Sequence, residues 1–310
     1  MEKSLLKDSV RQIKNTFKRF LSIVAIVLLG VGFFAGITAT SPDMKDTIDT
    51  YFDDEDVMDI EVISTLGLTD EDIEALKKVD GTKEVVGTYS IDATFSNDKK
   101  EYVVKIESMP DTINNVILKE GSLPQNADEC VVESSLLTMT GYKIGDYITL
   151  NPQKVESSTS IGDIDISNDE DSNDNNSSNE ESDSNNDSTV KNKKVKIVGT
   201  VQSPLYISRS RGSSKLGAGS VIFYMYMPKE NFNMDVYTIA YITADGAKNL
   251  KTYKDEYQKK IDEVKDNIDA ISDERKQARY NSIVNTAQSK LDDAQKEYDE
   301  QKQKAEDELQ

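Results

Sequence analysis

The one thiol of this 310-residue chain, Cys130, could act as nucleophile or metal ligand only as a thiolate, and nothing around it favours that form. It stands in the apolar run Cys130-Val131-Val132, the setting of an inert buried cysteine, and being alone it makes no intrachain disulfide. There is no histidine, so imidazole as base, proton shuttle or metal ligand drops out of every mechanism. The 57 Asp and Glu fall in solvated runs rather than as isolated acids in apolar surroundings, where a raised pKa would mark a functional group. Asp163-x-Asp165-x-Ser167 has the alternation of a calcium loop, but Asn168 fills the sixth position, where that loop needs glycine, so the segment reads as solvated acidic chain. Gly212, Gly217 and Gly219 do not meet the phosphate-loop spacing G-x-x-x-x-G-K-[ST] and fit a turn between strands. The expectation is no catalytic residue, no cofactor and no metal site.

The elements that would carry any function are clearer. A formal charge of −20 with pI near 4.5, and no basic patch beyond the first twenty residues, works against nucleic acid as a partner. Phe20 to Thr40 is twenty-one residues without a charge, with hydroxyls only at Ser22, Thr38 and Thr40. At the helical rise it spans a hydrocarbon core of about 30 Å. Lys3, Lys7, Arg11, Lys14, Lys18 and Arg19 precede it against Glu2 and Asp8, while Asp43, Asp46, Asp49 and Asp53-Asp54-Glu55-Asp56 follow. The positive-inside rule then puts residues 1–19 in the cytoplasm and the bulk of the chain outside it, in or beyond a cell membrane. The apolar run exceeds that of a cleaved signal peptide, so a retained single-pass anchor over 20–40 is expected. Leu5, Leu6, Val10, Ile13 and Phe17 recur at helical spacing, which makes the lead a candidate amphipathic helix on the lipids of the inner leaflet.

Residues 41–246 read as an α+β core: a helix continuing to about Phe52, then strands at Val57–Thr65, Val85–Phe95, Glu101–Met109, Glu129–Glu133, Tyr147–Leu150, Lys194–Val201, Val221–Met227 and Tyr237–Thr243. Thr69 and Asp72 make a capping box for a short helix with Ile73, Leu76 and Val79 on one face, stopped by Gly81. Residues 156–190, almost all Ser, Asn, Asp and Glu, form a disordered acidic insertion between strand-like flanks at Lys143–Leu150 and Lys193–Val201, and so interrupt a hairpin. Residues 247–310 lack Pro and Gly, with Leu250, Tyr257, Val264, Ile271 and Ala278 seven apart and Ile261 and Ile268 between them. A second register follows at Val284, Leu291, Tyr298 and Ala305. This predicts a long helix or coiled-coil arm whose narrow seam needs a second helix for shelter. The pattern runs to Gln310 without a cap, as in a fragment of a longer protein.

Several stretches taken together resemble the N-terminal part of FtsX-like, MacB-type ABC transporter permeases of low-GC Gram-positive bacteria. They are Arg11-Gln12-Ile13-Lys14-Asn15-Thr16-Phe17-Lys18-Arg19-Phe20, Leu118-Lys119-Glu120-Gly121-Ser122-Leu123-Pro124 with Glu129-Cys130-Val131-Val132, Lys143-Ile144-Gly145-Asp146, and Gly199-x-x-x-Ser203-Pro204-Leu205-Tyr206-Ile207. Ser122 departs from the pattern, which often has Arg there. The resemblance implies a MacB-like extracytoplasmic core and coiled coil on a permease subunit that is not itself an enzyme. It also implies partners: an ABC ATPase subunit, and further permease transmembrane helices or a second permease copy. Such proteins serve export or control of the cell envelope. The alternative is a stand-alone anchored binding or adhesion protein with a projecting coiled coil.

Overall fold

Alternation of β-branched and aromatic residues with polar punctuation builds two sheets, and two long polar-faced or apolar runs build the long helices. The structure is a computed structural model that describes residues 11, 14, 16–97, 100–153, 188–208 and 210–308. The amphipathic lead, the calcium-like spacing at 163–167 and nearly all of the acidic insertion lie outside the described residues. The chain divides into two units, residues 1–52 and 53–310.

The first unit is carried by helix α1 (Phe17–Asp54), one helix long and apolar enough to cross a membrane. Its apolar window is wholly unburied, with Leu29 and Phe33 each 73% exposed, which suits side chains that face lipid. Hydroxyls within it fold back on the helix: Thr38 Oγ1 donates to the Phe34 and Ala35 carbonyls, and Thr40 Oγ1 to Gly36 O at 2.7 Å.

The second unit begins with β1 (Ile60–Leu68), α2 (Asp70–Lys77) and β2 (Thr82–Thr88). The expected capping box is present: Asp72 N donates to Thr69 Oγ1, and the Asp72 carboxylate accepts from Thr69 N at 2.8 Å. With β11 (Tyr237–Ala244) these strands form an antiparallel sheet ordered β1-β11-β2. A second sheet holds β3 (Ser90–Asn97), β4 (Lys100–Ser108), β5 (Ile117–Gly121), β6 (Glu129–Glu133), β7 (Tyr147–Thr149), β8 (Asn151–Pro152), β9 (Lys194–Gln202) and β10 (Phe223–Met227). Its order is β5-β9-β6-β10-β4-β3-β8, with β7 sharing the β5 side of β9. The pairs β6–β9 and β10–β4 are parallel. Phe95, Ile106, Ile197, Phe223 and Met225 fill the main core, with Leu136 of helix α3 (Ser134–Thr140) over it.

Three expectations are corrected. The stretch Val85–Phe95 is two strands, because the chain changes sheets at Tyr89: Ser90 N donates to Thr238 Oγ1 at 2.7 Å, and Ser108 N to Tyr89 O at 2.9 Å. The acidic insertion ends earlier than 190, since Val190 is 1% exposed in the main core and bridges Phe232, and Thr189 O accepts from Asn233 N. The flanks do pair, with Tyr147 opposite Lys196 and Thr149 opposite Lys194 in antiparallel register.

The third correction concerns the arm. Helix α4 (Asp255–Glu308) starts after a 3-10 turn at Ala247–Asn249, and Leu250 is extended, so the seam begins at Tyr257. Its first half needs no second helix. Ile261, Val264 and Ile268 are buried with Leu76 of α2, Val85 of β2 and Ala240 and Ile242 of β11 in one core. A helix face of three side chains is sheltered equally well by a sheet, and burial of this kind contributes about 1.5–3 kcal/mol per large side chain.

Candidate functional site

Two places in the second unit combine unusual chemistry with space. The first is the carboxyl of Glu107, near the end of β4. β-pairing puts it opposite Ser90 on one side and Tyr226 on the other, in a strand whose Val104 and Ile106 serve the core. It is 4% exposed. Tyr206 Oη donates to its Oε1 at 2.7 Å and Ser90 Oγ donates at 2.9 Å. Burial raises its pKa from 4.5 to about 7; those two hydrogen bonds and the Lys105 charge oppose the rise, and Glu61 adds to it. Burial and the neighbouring Glu107 charge likewise hold Tyr206 and Tyr241 well above the ordinary phenol range.

The surroundings fix this acid. Ser203 Oγ lies 2.6 Å from Tyr226 Oη and accepts from Leu205 N, which sets the 3-10 turn Pro204–Tyr206 that presents Tyr206. The Tyr206 ring stacks on Tyr224 at 4.5 Å, and Arg211 lies over Tyr224 while bridging to Glu133. Thr88 and Ser108 pair their hydroxyls at 2.5 Å beside it. The arrangement can hold or release one proton near neutral pH. Glu107 was not visible as a site in the sequence, where the acids read as solvated runs; that reading is corrected here. The signal was an acid near the end of a strand whose Val103, Val104 and Ile106 are apolar and buried.

The second place is a groove of about 690 Å³ between β1, α2 and α4, lined by Val62, Leu66, Leu76 and Ile271, with Arg275 and Arg279 beside them. β1 is the edge strand of its sheet, and its pairing with β11 is irregular between Ile63 and Leu68. Arg275 Nε donates to Asp72 Oδ1 at 2.7 Å, and Arg279 Nε to Leu66 O at 3.0 Å. Its size and apolar lining are those of a small-ligand site.

The residues singled out in the sequence lie elsewhere. Cys130 is fully buried in β6 with its thiol pKa raised by burial. Gly212, Gly217 and Gly219 all have positive φ and form a turn closed by a Ser213–Ser220 bridge. Among the described residues no cluster of three or more acids or thiols could hold a metal. Of the stretches that carry the family resemblance, those within the second unit, by contrast, meet around β9. Gly121 is opposite Gly199 across β5 and β9. A Cβ on Gly121 would lie 2.2 Å from Val198 O, and one on Gly199 2.6 Å from Glu120 O, so each strand requires glycine in the other.

No protein-family model matches the chain, and no curated protein matches it. Solved transporter ectodomains are similar to it. The extracellular domain of the noncanonic ABC-type transporter YknZ from Gram-positive bacteria is 13% identical over 64% of this chain and 85% of its own, with a TM-score of 0.32. The periplasmic region of MacB from Actinobacillus actinomycetemcomitans is 11% identical over 60% of this chain and 67% of its own, with a TM-score of 0.30.

Proposed function

We propose that this chain is a permease subunit, or the N-terminal piece of one, of an FtsX/MacB-type ABC transporter. Its N-terminus is cytoplasmic and its second unit extracytoplasmic, and ATP hydrolysed by a partner subunit moves that unit for export or envelope control. The observation that carries this reading is mechanical. Helix α1 ends at Asp54, and five residues later Asp59 accepts from Ala244 N at the end of β11 (2.7 Å) and from Tyr257 Oη of α4 (2.6 Å). Asp56 adds an ion pair to Lys248 at 2.8 Å, and its carbonyl accepts from Asn114 N. The stretch of the second unit that directly follows the membrane helix is thus held by both the small sheet and the long helix, the place where a pull from the membrane would arrive. The meeting of two of the resembling stretches at Gly121 and Gly199 supports the same family. The basic lead and acidic exit support the orientation.

Two measurements test it. A cysteine replacing Lys119, exposed on β5, is expected to react with an impermeant thiol reagent in intact cells, while one replacing Ser4 is not; the reverse pattern would overturn the orientation. Full chain captured from membranes in mild detergent is expected to bring an ABC ATPase with it. Capture that never enriches such a subunit would favour the anchored binding protein instead.

A further inference from the structure

The acid at position 107 lies where the two sheets of the second unit meet. Ile239, Tyr241 and Val86 occupy the face of the small sheet opposite its helices, and they pack on Leu205 and Ile113. A void barely large enough for water, about 10 Å³, opens beside Glu107 between Thr88, Ser108, Tyr226 and Tyr241. The charged and titratable groups around the acid come from every neighbouring element. Lys105 of β4 is already paired with Asp92 of β3, Glu61 of β1 is a second acid, and Lys229 and Asp111 pair with each other at the edge of the void. The remaining neighbours are the phenols of Tyr206, Tyr226 and Tyr241. Among the described residues a carboxylate in this position thus has hydroxyl donors and, for a cation, Lys105, which is already paired with Asp92, and burying such a charge is costly.

We propose that Glu107 is a proton-operated latch between the two sheets. As the neutral acid it keeps β11 closed against β4; on losing its proton it draws water into the adjoining void and loosens that contact between the sheets. The partner in this switch is the proton alone, and the inference stands whether or not the chain serves a transporter.

The direction follows from linkage. The folded state holds the proton up to about pH 7, whereas an exposed glutamate releases it near 4.5. The stability this site contributes is therefore full below about 4.5, falls as pH rises, and is lost once pH passes about 7.

The test uses full chain in detergent micelles and follows hydrogen exchange at the β11 amides between about pH 5.5 and 8.5, corrected for intrinsic exchange. Each pH unit below the folded pKa corresponds to roughly tenfold in the opening equilibrium, so protection is expected to fall at least tenfold or so and then level off. Glu107→Gln keeps an acceptor for Tyr206 but has no proton to lose, and it is expected to stay protected throughout. Tyr206→Phe removes a donor that favours the carboxylate, so its transition is expected at higher pH; this variant decides the matter should Glu107→Gln not fold. A wild-type chain with flat protection, a Glu107→Gln chain with the wild-type transition, or an unmoved transition in Tyr206→Phe would each overturn the latch.

Discussion

The two halves of helix α4 both carry apolar residues seven apart, in two registers, yet they live in different surroundings. In residues 257–271 the seam is domain core: Val264 is 0% and Ile261 3% exposed against the small sheet. In the distal half Val284 is 45%, Leu291 65% and Tyr298 62% exposed, and from Gln288 to Asp307 every side chain that is described faces outward. Around the change, Arg275 ties the helix to Asp72 of α2 and Arg279 Nε donates to Leu66 O of β1. A heptad pattern thus says only that one face of a helix is apolar. What covers that face is decided by the neighbouring chain, and here the same repeat serves a helix-on-sheet contact first and an open stripe afterwards.

The comparison breaks most visibly at Val264. Val264→Asp buries a charge between α4, β11 and Gly81, whose own Cβ would already lie 2.7 Å from the Val264 methyl, so there is no slack for the carboxylate to escape. It is expected to destabilise residues 53–310 by about 4 kcal/mol in denaturant titrations of the full chain. A loss below roughly 1 kcal/mol would mean that the seam is not core. The opposite end sharpens the contrast. Leu291→Asp changes an apolar residue of the second register, in the distal half, and it is expected to leave that stability within about 0.5 kcal/mol. If sedimentation shows that Leu291→Asp lowers the association state of the wild-type chain, the distal stripe is a helix-pairing surface; unfolding of the second unit by this substitution would erase the distinction between the halves.

Much of this architecture was legible from local signals. The long apolar helix was plain because twenty-one uncharged residues between a basic and an acidic flank leave few other solutions. The capping box at Thr69 and Asp72 was legible because both its hydrogen bonds are made within four residues. The strand Glu129–Glu133 and the antiparallel flanks of the insertion were legible for a similar reason, since alternation is a property of the strand itself. Helix α3 was missed: its N-cap, Glu133, makes no side-chain cap, and seven residues of Ser, Leu, Thr and Met carry no clear period.

The sequence by itself determined which segments are apolar, where turns must bend at glycine, and on which side of the span the charges lie, because these are properties of neighbouring residues. Only the tertiary structure decided what those segments meet. It split one apolar run at Tyr89 between two sheets, laid the first half of a coiled-coil pattern on β11, and enclosed Glu107 among three tyrosines. Each of these depends on a partner more than a dozen residues away. Pairing register, burial and the proton affinity that burial sets arise from that distant contact, and no local pattern encodes them.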